Sequence, residues 1–250
     1  MGPLEAAAIL LAGVGAGTIN AVVGSGTLLT FPTLLAFGYP PVTANVSNTI
    51  GLVPGSVAGA WGYRRELAGQ RERVLRLGVA SLIGGATGGL LLLVLPAGAF
   101  EAIVPILIGI GVLLVVFGPR ISRWVAEHHG DAGGEHWWVW PAVLVTGVYG
   151  GYFGAAQGVL LMAVLGIGVA DTLQRLNGAK NVLAAIVNAV AGVIFIFVAD
   201  VDWGVVALIA AGSIVGGLLG SSLGRRLPPA VLRGVIEVVG VVALVVLLAT

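Results

Sequence analysis

The sequence predicts an all-α, polytopic helical membrane protein made of two inverted repeats, each with about five hydrophobic segments and a broken or re-entrant first pair. Of its 250 residues, 58% are hydrophobic and only 9% are charged, and the mean hydropathy is +1.07. A soluble chain of this length could not bury so much apolar surface, so we expect it in a lipid bilayer. Two further observations, a repeated set of motifs and the placement of the charges, define the architecture.

The duplication is visible in short motifs that recur at a nearly constant offset of 132 to 134 residues. Such a constant offset indicates an internal repeat. We therefore predict a first repeat over residues 1–118, a cytoplasmic linker over 119–138 and a second repeat over 139–250. The matching pairs include Gly26-Thr27-Leu28-Leu29 with Gly158-Val159-Leu160-Leu161, Ser47-Asn48 with Lys180-Asn181, and Val57-Ala58-Gly59 with Val190-Ala191-Gly192.

Ten apolar segments follow one another along the chain. They cover approximately 6–23, 27–38, 43–62, 75–95 and 100–118, and then 139–155, 158–169, 176–199, 204–223 and 231–249. The hydrocarbon core of a bilayer requires roughly 20 helical residues, whereas the second segment of each repeat has about 12, enough for about 18 Å. We interpret the first two segments of each repeat as a broken pair, and whether the short segments span or re-enter stays open. Non-helical backbone at membrane depth must face protein or a watery cavity, so the breaks are candidate site walls.

The charges predict the orientation. The arginines lie in or beside four connections, 63–74, 119–138, 170–175 and 224–230. If one connection is cytoplasmic, the number of crossings places all four on that side, as the positive-inside rule requires. Corresponding loops of the two repeats have opposite charge character, so we predict inverted repeats in a multi-pass protein of the cell (inner) membrane. Residues 1–5 include no basic residue, and we expect the first apolar segment to be retained rather than cleaved as a signal peptide.

Inverted repeats with interrupted helices are typical of transporters, whose substrate site lies near the midplane where the repeats meet. The breaks contain Gly24, Ser25 and Gly26 in the first repeat and Gln157 in the second. A helix that begins beside each break would direct free N–H groups and a positive dipole end toward it, which suits an anion. The alternative interpretation, a bare turn, fits these residues equally well.

The third segment of each repeat adds polar residues at membrane depth. Asn45 and Asn48 lie in one, and Asn177, Lys180, Asn181 and Asn188 fall along one face of the other. Lys180 is the sole lysine of the chain, and an ionisable residue inside a membrane segment predicts a functional site. The alternative is that Lys180 extends to the cytoplasmic boundary as a snorkelling side chain.

The remaining ionisable residues favour transport over catalysis. Glu237 is a candidate for ion coupling, although pairing with Arg233 one turn earlier is the preferred interpretation. There are no cysteines, and the three histidines lie in the linker without regular ligand spacing, so we expect no metal site and no cofactor. The chain also lacks an enzyme's nucleophile and base set and an ATP-binding motif, and we expect no nucleic-acid partner.

The second repeat also resembles a known family. The stretches Gly150-Gly151-Tyr152-Phe153-Gly154-Ala155-Ala156-Gln157-Gly158 and Asp171-Thr172-Leu173-Gln174-Arg175-Leu176-Asn177-Gly178-Ala179-Lys180-Asn181 resemble the second half of the sulfite exporter TauE/SafE family of membrane permeases. Residues 23–32 look like the glycine-rich, proline-ended motif of its first half, here interrupted by Ser25 and Thr27. The resemblance implies transport of sulfite, sulfonates or similar organic anions across the inner membrane, coupled to an ion gradient.

Taken together, these features predict a secondary transporter that moves a small, sulfur-containing anion by alternating access. The expected partners are the small anionic substrate and the lipid bilayer. Whether a proton, sodium or no ion is coupled stays open, as does whether the chain forms a homo-oligomer. Two alternatives remain open, an anion channel that uses the same polar breaks as a pore, and a membrane assembly subunit that transports nothing.

Overall fold

The computed structural model describes residues 1–127 and 135–223, and the secondary structure of these residues is helical apart from one isolated bridge between Glu135 and Val169. This confirms the predicted all-α class. The tenth predicted segment, 231–249, lies outside the described residues. The helices are α1 (Pro3–Val22), α2 (Thr27–Ala36), α3 (Pro41–Gly62), α4 (Arg71–Val94), α5 (Ala97–Glu127), α6 (Val139–Tyr152), α7 (Gln157–Gly168), α8 (Leu173–Val198) and α9 (Trp203–Leu223).

Both predicted helix breaks are present. Four residues separate α1 from α2, and four separate α6 from α7. The helices that follow the breaks, α2 and α7, have 10 and 12 residues. At 1.5 Å per residue they reach only about 15 and 18 Å, well short of the bilayer core. Five of the described helices, α1, α4, α5, α8 and α9, are long and apolar enough to cross a membrane.

Helix α5 differs from the prediction at its C-terminal end. The apolar segment ends near residue 118, but the helix continues to Glu127, through the first part of the predicted linker. The loss of apolar residues marks where a helix can leave the bilayer, whereas arginine and glutamate are themselves good helix formers. Hydropathy therefore located the apolar boundary and not the end of the helix.

Polar and apolar side chains are distributed as in a protein surrounded by lipid. Large apolar side chains face outward, such as Val94 and Phe197, whose surfaces are 78% and 82% exposed. Several polar side chains are buried instead, among them Asn45, Asn48 and Lys180. In water this arrangement would leave apolar surface unprotected while burying groups that prefer solvent. Together with the apolar helices, it identifies a multi-pass membrane protein.

The helices pack across the two halves of the sequence. Helix α3 lies against α8, α3 also contacts α9, and α8 also contacts α4. Helix α1 packs on α9, and α6 packs on α4. Glycines permit this proximity, because a Cβ atom at Gly17 would overlap the carbonyl oxygen of Ser213, and one at Gly88 would overlap that of Val148. The α1–α9 and α4–α6 contacts therefore join backbone directly to backbone.

Substitution of Gly17 tests this packing. Gly17→Ala should destabilise the protein by about 1–3 kcal/mol, because the added methyl group must displace the α9 backbone. We expect a lower midpoint of thermal unfolding in detergent. Gly98→Ala in α5 is the matched control, because a Cβ at Gly98 meets nothing within 4 Å. Equal midpoints for the two variants would contradict the close α1–α9 contact.

Candidate functional site

The two helix breaks touch each other. The backbone N–H of Gly158 donates a hydrogen bond to the carbonyl oxygen of Gly24 over 2.9 Å. A Cβ atom at either glycine would overlap the Cα atom of the other. Gly24 also has a φ of +90°, which only glycine adopts at little cost. The backbone at this junction therefore requires glycine on both sides.

A small polar cavity lies at this junction. Its volume is about 20 Å³, which is room for about one water molecule. The lining residues come from α1, α2, α3, α7, α8 and the two breaks, and most are polar or glycine. They are Asn20, Gly24, Thr27, Ser56, Gly154, Gln157, Gly158, Lys180, Asn181, Ala184 and Asn188.

Lys180 binds the C-terminal end of α1. Its Nζ donates to the carbonyl oxygen of Asn20 over 3.0 Å and reaches that of Ala21 at 3.5 Å. The Nδ2 atoms of Asn177 and Asn181 each donate to Ala21 over 3.2 Å. The last carbonyls of a helix have no partner within it, and their negative dipole end favours a cation. These α8 side chains therefore satisfy the carbonyls that the break in α1 leaves free.

The side chain of Lys180 is fully buried, with 0% of its surface exposed. The interpretation that it extends to the membrane boundary is therefore wrong. A snorkelling lysine gains hydration at the interface, whereas the amino group of Lys180 obtains its hydrogen bonds from the end of α1 instead.

The second break is held in a related way from α3. The Nδ2 of Asn45 donates to the carbonyl oxygen of Tyr152, the last residue of α6, over 3.0 Å. Asn48 does not reach this break. Its Oδ1 accepts a hydrogen bond from the hydroxyl of Thr30 over 2.5 Å, and its Nδ2 lies 3.4 Å from the Oγ1 of Thr27. Asn48 thus attaches α2 to α3.

The backbone N–H groups at the start of α7 are not free donors. Those of Gln157, Gly158 and Val159 donate to Gly154, Gly24 and Ala156. The expectation that unpaired N–H groups would face the break is therefore wrong for α7, because the tight turn and the opposite break already use them. What remains available for an anion is the dipole of the short helix and the polar side chains around the cavity.

Gln157 and Ser25 have buried polar atoms without a hydrogen-bond partner among the described residues. The atoms are the Nε2 of Gln157, which lines the cavity, and the Oγ of Ser25. The two side chains are 4% and 1% exposed. Because an unsatisfied buried donor typically costs about 1–3 kcal/mol, the Nε2 of Gln157 indicates a place for a hydrogen-bond acceptor.

Four of the residues predicted for a site line the cavity, namely Gly24, Gln157, Lys180 and Asn181. The others lie around it or hold the breaks. Gly26 donates its N–H to the side chain of Asn20 over 2.6 Å. The contacts or burial of four more predicted residues are given above, namely Ser25, Asn45, Asn48 and Asn177. Glu237 and its expected partner Arg233 lie outside the described residues. Their roles in binding stay predictions.

Seven cavity residues were not among the predicted site residues, namely Asn20, Thr27, Ser56, Gly154, Gly158, Ala184 and Asn188. Asn20 uses its carbonyl for Lys180 and its side chain for Gly26. Ser56 and Asn188 lie 3.5 Å apart, Oγ to Nδ2, across the contact between α3 and α8. Asn188 belongs to the polar face of α8 predicted with Asn177, Lys180 and Asn181. Ser56 aligns with Ala189 in the second repeat, so matching polar positions gave no signal for it.

At one end of the bundle, ion pairs join three of the arginine-bearing connections. Asp171 contacts Arg73 over 2.6 Å and Arg175 over 2.7 Å. Glu135 contacts Arg76 over 2.5 Å and Arg73 over 3.6 Å. This network holds the start of α4 against the connection before α8 and the chain before α6. These connections therefore lie at the same end of the described bundle.

The fold and this site define a multi-pass helical membrane protein of the transporter class. The chain belongs to the sulfite exporter TauE/SafE family, whose sequence profile it matches over residues 9–247. No solved structure matches the chain at a significant level.

Three curated relatives cover most of the chain. A "Probable membrane transporter protein" of Haemophilus influenzae is 24% identical over 87% of this chain and 84% of its own length. "Probable membrane transporter protein YfcA" of Escherichia coli K12 is 24% identical over 96% of this chain and 88% of its own length. "Probable membrane transporter protein ORF9" of a Sinorhizobium species is 27% identical over 94% of this chain and 88% of its own length. These names support the transporter class.

Alanine substitutions at the two breaks should have unequal effects. Asn45→Ala removes the side-chain donor to Tyr152, and a buried carbonyl left unsatisfied typically costs about 1–3 kcal/mol. Asn177→Ala should cost less, because the carbonyl of Ala21 keeps Asn181 and Lys180 as donors. Thermal unfolding in detergent compares the two variants directly. A greater loss for Asn177→Ala would contradict the assigned capping contacts.

The ion-pair network predicts a loss of stability in acid. Burial disfavours ionisation of Asp171, but hydrogen bonds from Arg73, the Thr172 N–H and Arg175 outweigh it and lower its pKa. Because the folded pKa lies below the unfolded one, the stabilisation is present above about pH 4 and is lost as the pH falls through the lowered pKa. Unfolding midpoints of the native protein should therefore drop below about pH 4, and Asp171→Asn should lack this part of the drop. Parallel pH profiles would contradict this role.

Proposed function

We propose that this protein is a secondary transporter that moves a small, sulfur-containing anion, such as sulfite or a sulfonate, by alternating access. One observation carries the proposal. Among the described residues, the cavity between the two helix breaks has one charged lining residue, Lys180, beside the Nε2 of Gln157, which has no hydrogen-bond partner there. A positive charge and a free donor together provide what an oxyanion needs when it leaves water.

Protonated Lys180 has one N–H donor that its described contacts do not use. When protonated, the amino group of Lys180 carries three N–H bonds, and the described residues provide two carbonyl oxygens as acceptors. A third N–H is therefore available for a ligand in the cavity that Lys180 lines. Asn181 lines the same cavity and adds a polar amide. In this proposal Lys180 is the counter-charge, and Gln157 and Asn181 orient the anion.

The family supports the substrate class. Its description is that of sulfite exporters, and the curated relatives are named only as membrane transporters. Sulfite and sulfonates are compact oxyanions that accept hydrogen bonds on several oxygens at once. A site with one ammonium and neutral amides suits such an ion, because it can release what it binds more readily than a cluster of cations could.

The helix contacts support a structural repeat, and from them we infer which parts move. Each helix has a counterpart in the other half of the chain: α1 corresponds to α6, α3 to α8 and α4 to α9. The α1–α9 contact then corresponds to the α6–α4 contact, and the α3–α9 contact corresponds to the α8–α4 contact. The helices thus form two groups, α1–α3–α9 and α4–α6–α8, which meet where α3 lies against α8. We infer that alternating access consists of these groups rocking about the cavity.

The size of the cavity favours a carrier over a channel. A volume of about 20 Å³ holds about one water molecule and is too small for an oxyanion with four heavy atoms. The site must therefore open before it binds, which fits a carrier and does not fit a permanently open pore. We further propose that the end with the Asp171 network, together with connections 63–74, 119–138, 170–175 and 224–230, is cytoplasmic, in agreement with the positive-inside rule.

Uptake into proteoliposomes tests the proposal. Labelled sulfite and labelled methanesulfonate should enter in a saturable manner when a pH gradient is imposed. Lys180→Met should reduce uptake at least about tenfold, because it removes the buried counter-charge of the anion. Arg65→Met, at an exposed position in the 63–74 loop, is the control and should retain uptake.

Each other outcome has a defined meaning. Flux that rises linearly with concentration, without stimulation by anion on the opposite side, would support the channel instead. No flux of either anion would contradict the substrate class. Normal uptake by a folded Lys180→Met protein, as judged from its thermal unfolding, would contradict the role given to the lysine.

A further inference from the structure

We propose that Lys180 carries the coupling ion of this transporter, which is a proton. Its amine takes up one proton with each anion that enters the cavity and releases that proton when the anion leaves. A monoanion and a proton then cross the membrane together, with no net charge moved. The inference rests on the proposed function, because it concerns the same cavity.

Lys180 has no carboxylate beside it among the described residues that pack around α8. Helices α3 and α7 contain no ionisable residue, and α6 contributes only the phenols of Tyr149 and Tyr152. On α1 the one ionisable residue is Glu5, which accepts a hydrogen bond from Tyr39. Glu5 lies fifteen residues before Asn20, which is about 22 Å along the helix.

The remaining charges near α8 lie at the end of the bundle that holds the ion-pair network. The segment 63–70 contacts Arg175 at the start of α8 and carries Arg64, Arg65 and Glu66. Arg175, on α8 itself, is paired with Asp171, and so is Arg73 at the start of α4. Arg76 is paired with Glu135. The other charged residues of the first turns of α4 are Arg71 and Glu72. None of the described helices provides a counter-ion for Lys180 at the depth of the cavity.

The carbonyls at the end of α1 compensate the charge of Lys180 only in part. They present a partial negative charge, equivalent to about half an elementary charge at the end of a helix. A buried ammonium without a counter-ion is costly, and since the described residues supply none to Lys180, an anion in the cavity would provide that charge. The anion therefore favours the proton on Lys180, and by reciprocity that proton favours the anion.

Charge balance in the transport cycle follows from this coupling. With the cavity empty, the amine is neutral and the α1 carbonyls bind a neutral donor. With the cavity loaded, the ammonium and a monoanion sum to zero. Lys180 and the cavity, which are exposed first to one side of the membrane and then to the other, thus have no net charge in either state. This avoids moving a net charge through a medium of low dielectric constant. A proton gradient would then drive the flux of the anion.

Calorimetry on the native protein tests the coupling. Methanesulfonate is the probe, because it remains a monoanion and takes up no proton itself. Its binding heat should depend on the ionisation enthalpy of the buffer, with up to about one proton taken up per anion. At pH values where the empty amine is neutral, the affinity should fall about tenfold for each unit that the pH rises. Binding with no proton uptake between about pH 6 and about pH 9 would overturn the proposal.

Two variants locate the proton. Lys180→Arg retains a positive charge that does not titrate, so methanesulfonate should bind it without proton uptake and with little dependence on pH. Glu237→Gln removes the other candidate for coupling and should keep the proton uptake of the native protein. Loss of uptake in Glu237→Gln, with retention in Lys180→Arg, would overturn the assignment to Lys180.

Flux measurements separate this inference from the proposed function. In proteoliposomes with the membrane potential set by potassium and valinomycin, methanesulfonate flux should be unaffected by potential and accompanied by about one proton per anion. Saturable flux that carries current, or that moves no proton, would overturn this inference and leave the anion transporter intact. The absence of both binding and flux for methanesulfonate and sulfite would overturn both.

Discussion

The carbonyl groups at the end of α1 set the constraint on which the centre of this protein depends. A helix that stops inside an apolar bundle leaves carbonyl oxygens without partners, and in lipid no water is available to bind them. Asn177, Lys180 and Asn181 of α8 supply the missing donors at Asn20 and Ala21. At the other break, Asn45 of α3 donates to Tyr152. Each break is therefore held by a helix from the opposite half of the sequence.

This constraint explains why the two central helices are polar where the bundle is most buried. Residues 44–52 of α3 form a continuous buried stretch, and residues 176–181 of α8 do the same. In a soluble protein such helices would turn their amides toward solvent. Here the amides face backbone that would otherwise be unsatisfied, so the polar residues stabilise the interruption. The cavity is what remains between the two interruptions once their hydrogen bonds are made.

Glycine packing and the central polar contacts have different consequences for motion. The glycine contacts bring α1 against α9 and α4 against α6 without intervening side chains, and such tight contacts favour movement of each pair as a unit. The contact between α3 and α8 includes a long hydrogen bond, 3.5 Å from Asn188 to Ser56. In the rocking motion proposed above, this is the boundary at which the two groups of helices would separate. The units defined by packing thus combine helices from both halves of the chain.

The sequence by itself determined the all-helical class, the apolar segments, the two breaks and the family. These depend on local properties, namely the length of apolar runs and the glycines and polar residues that interrupt them. Such properties are the same whatever tertiary structure surrounds them. The tertiary structure alone decided that Lys180 binds the end of α1, a contact between residues 160 positions apart. It also decided that Asn20 and Ser56 line the cavity and that the first N–H groups of α7 are already bonded. Hydrogen bonds of this kind are chosen by which helices meet in space, and helical periodicity shows only which face a residue occupies.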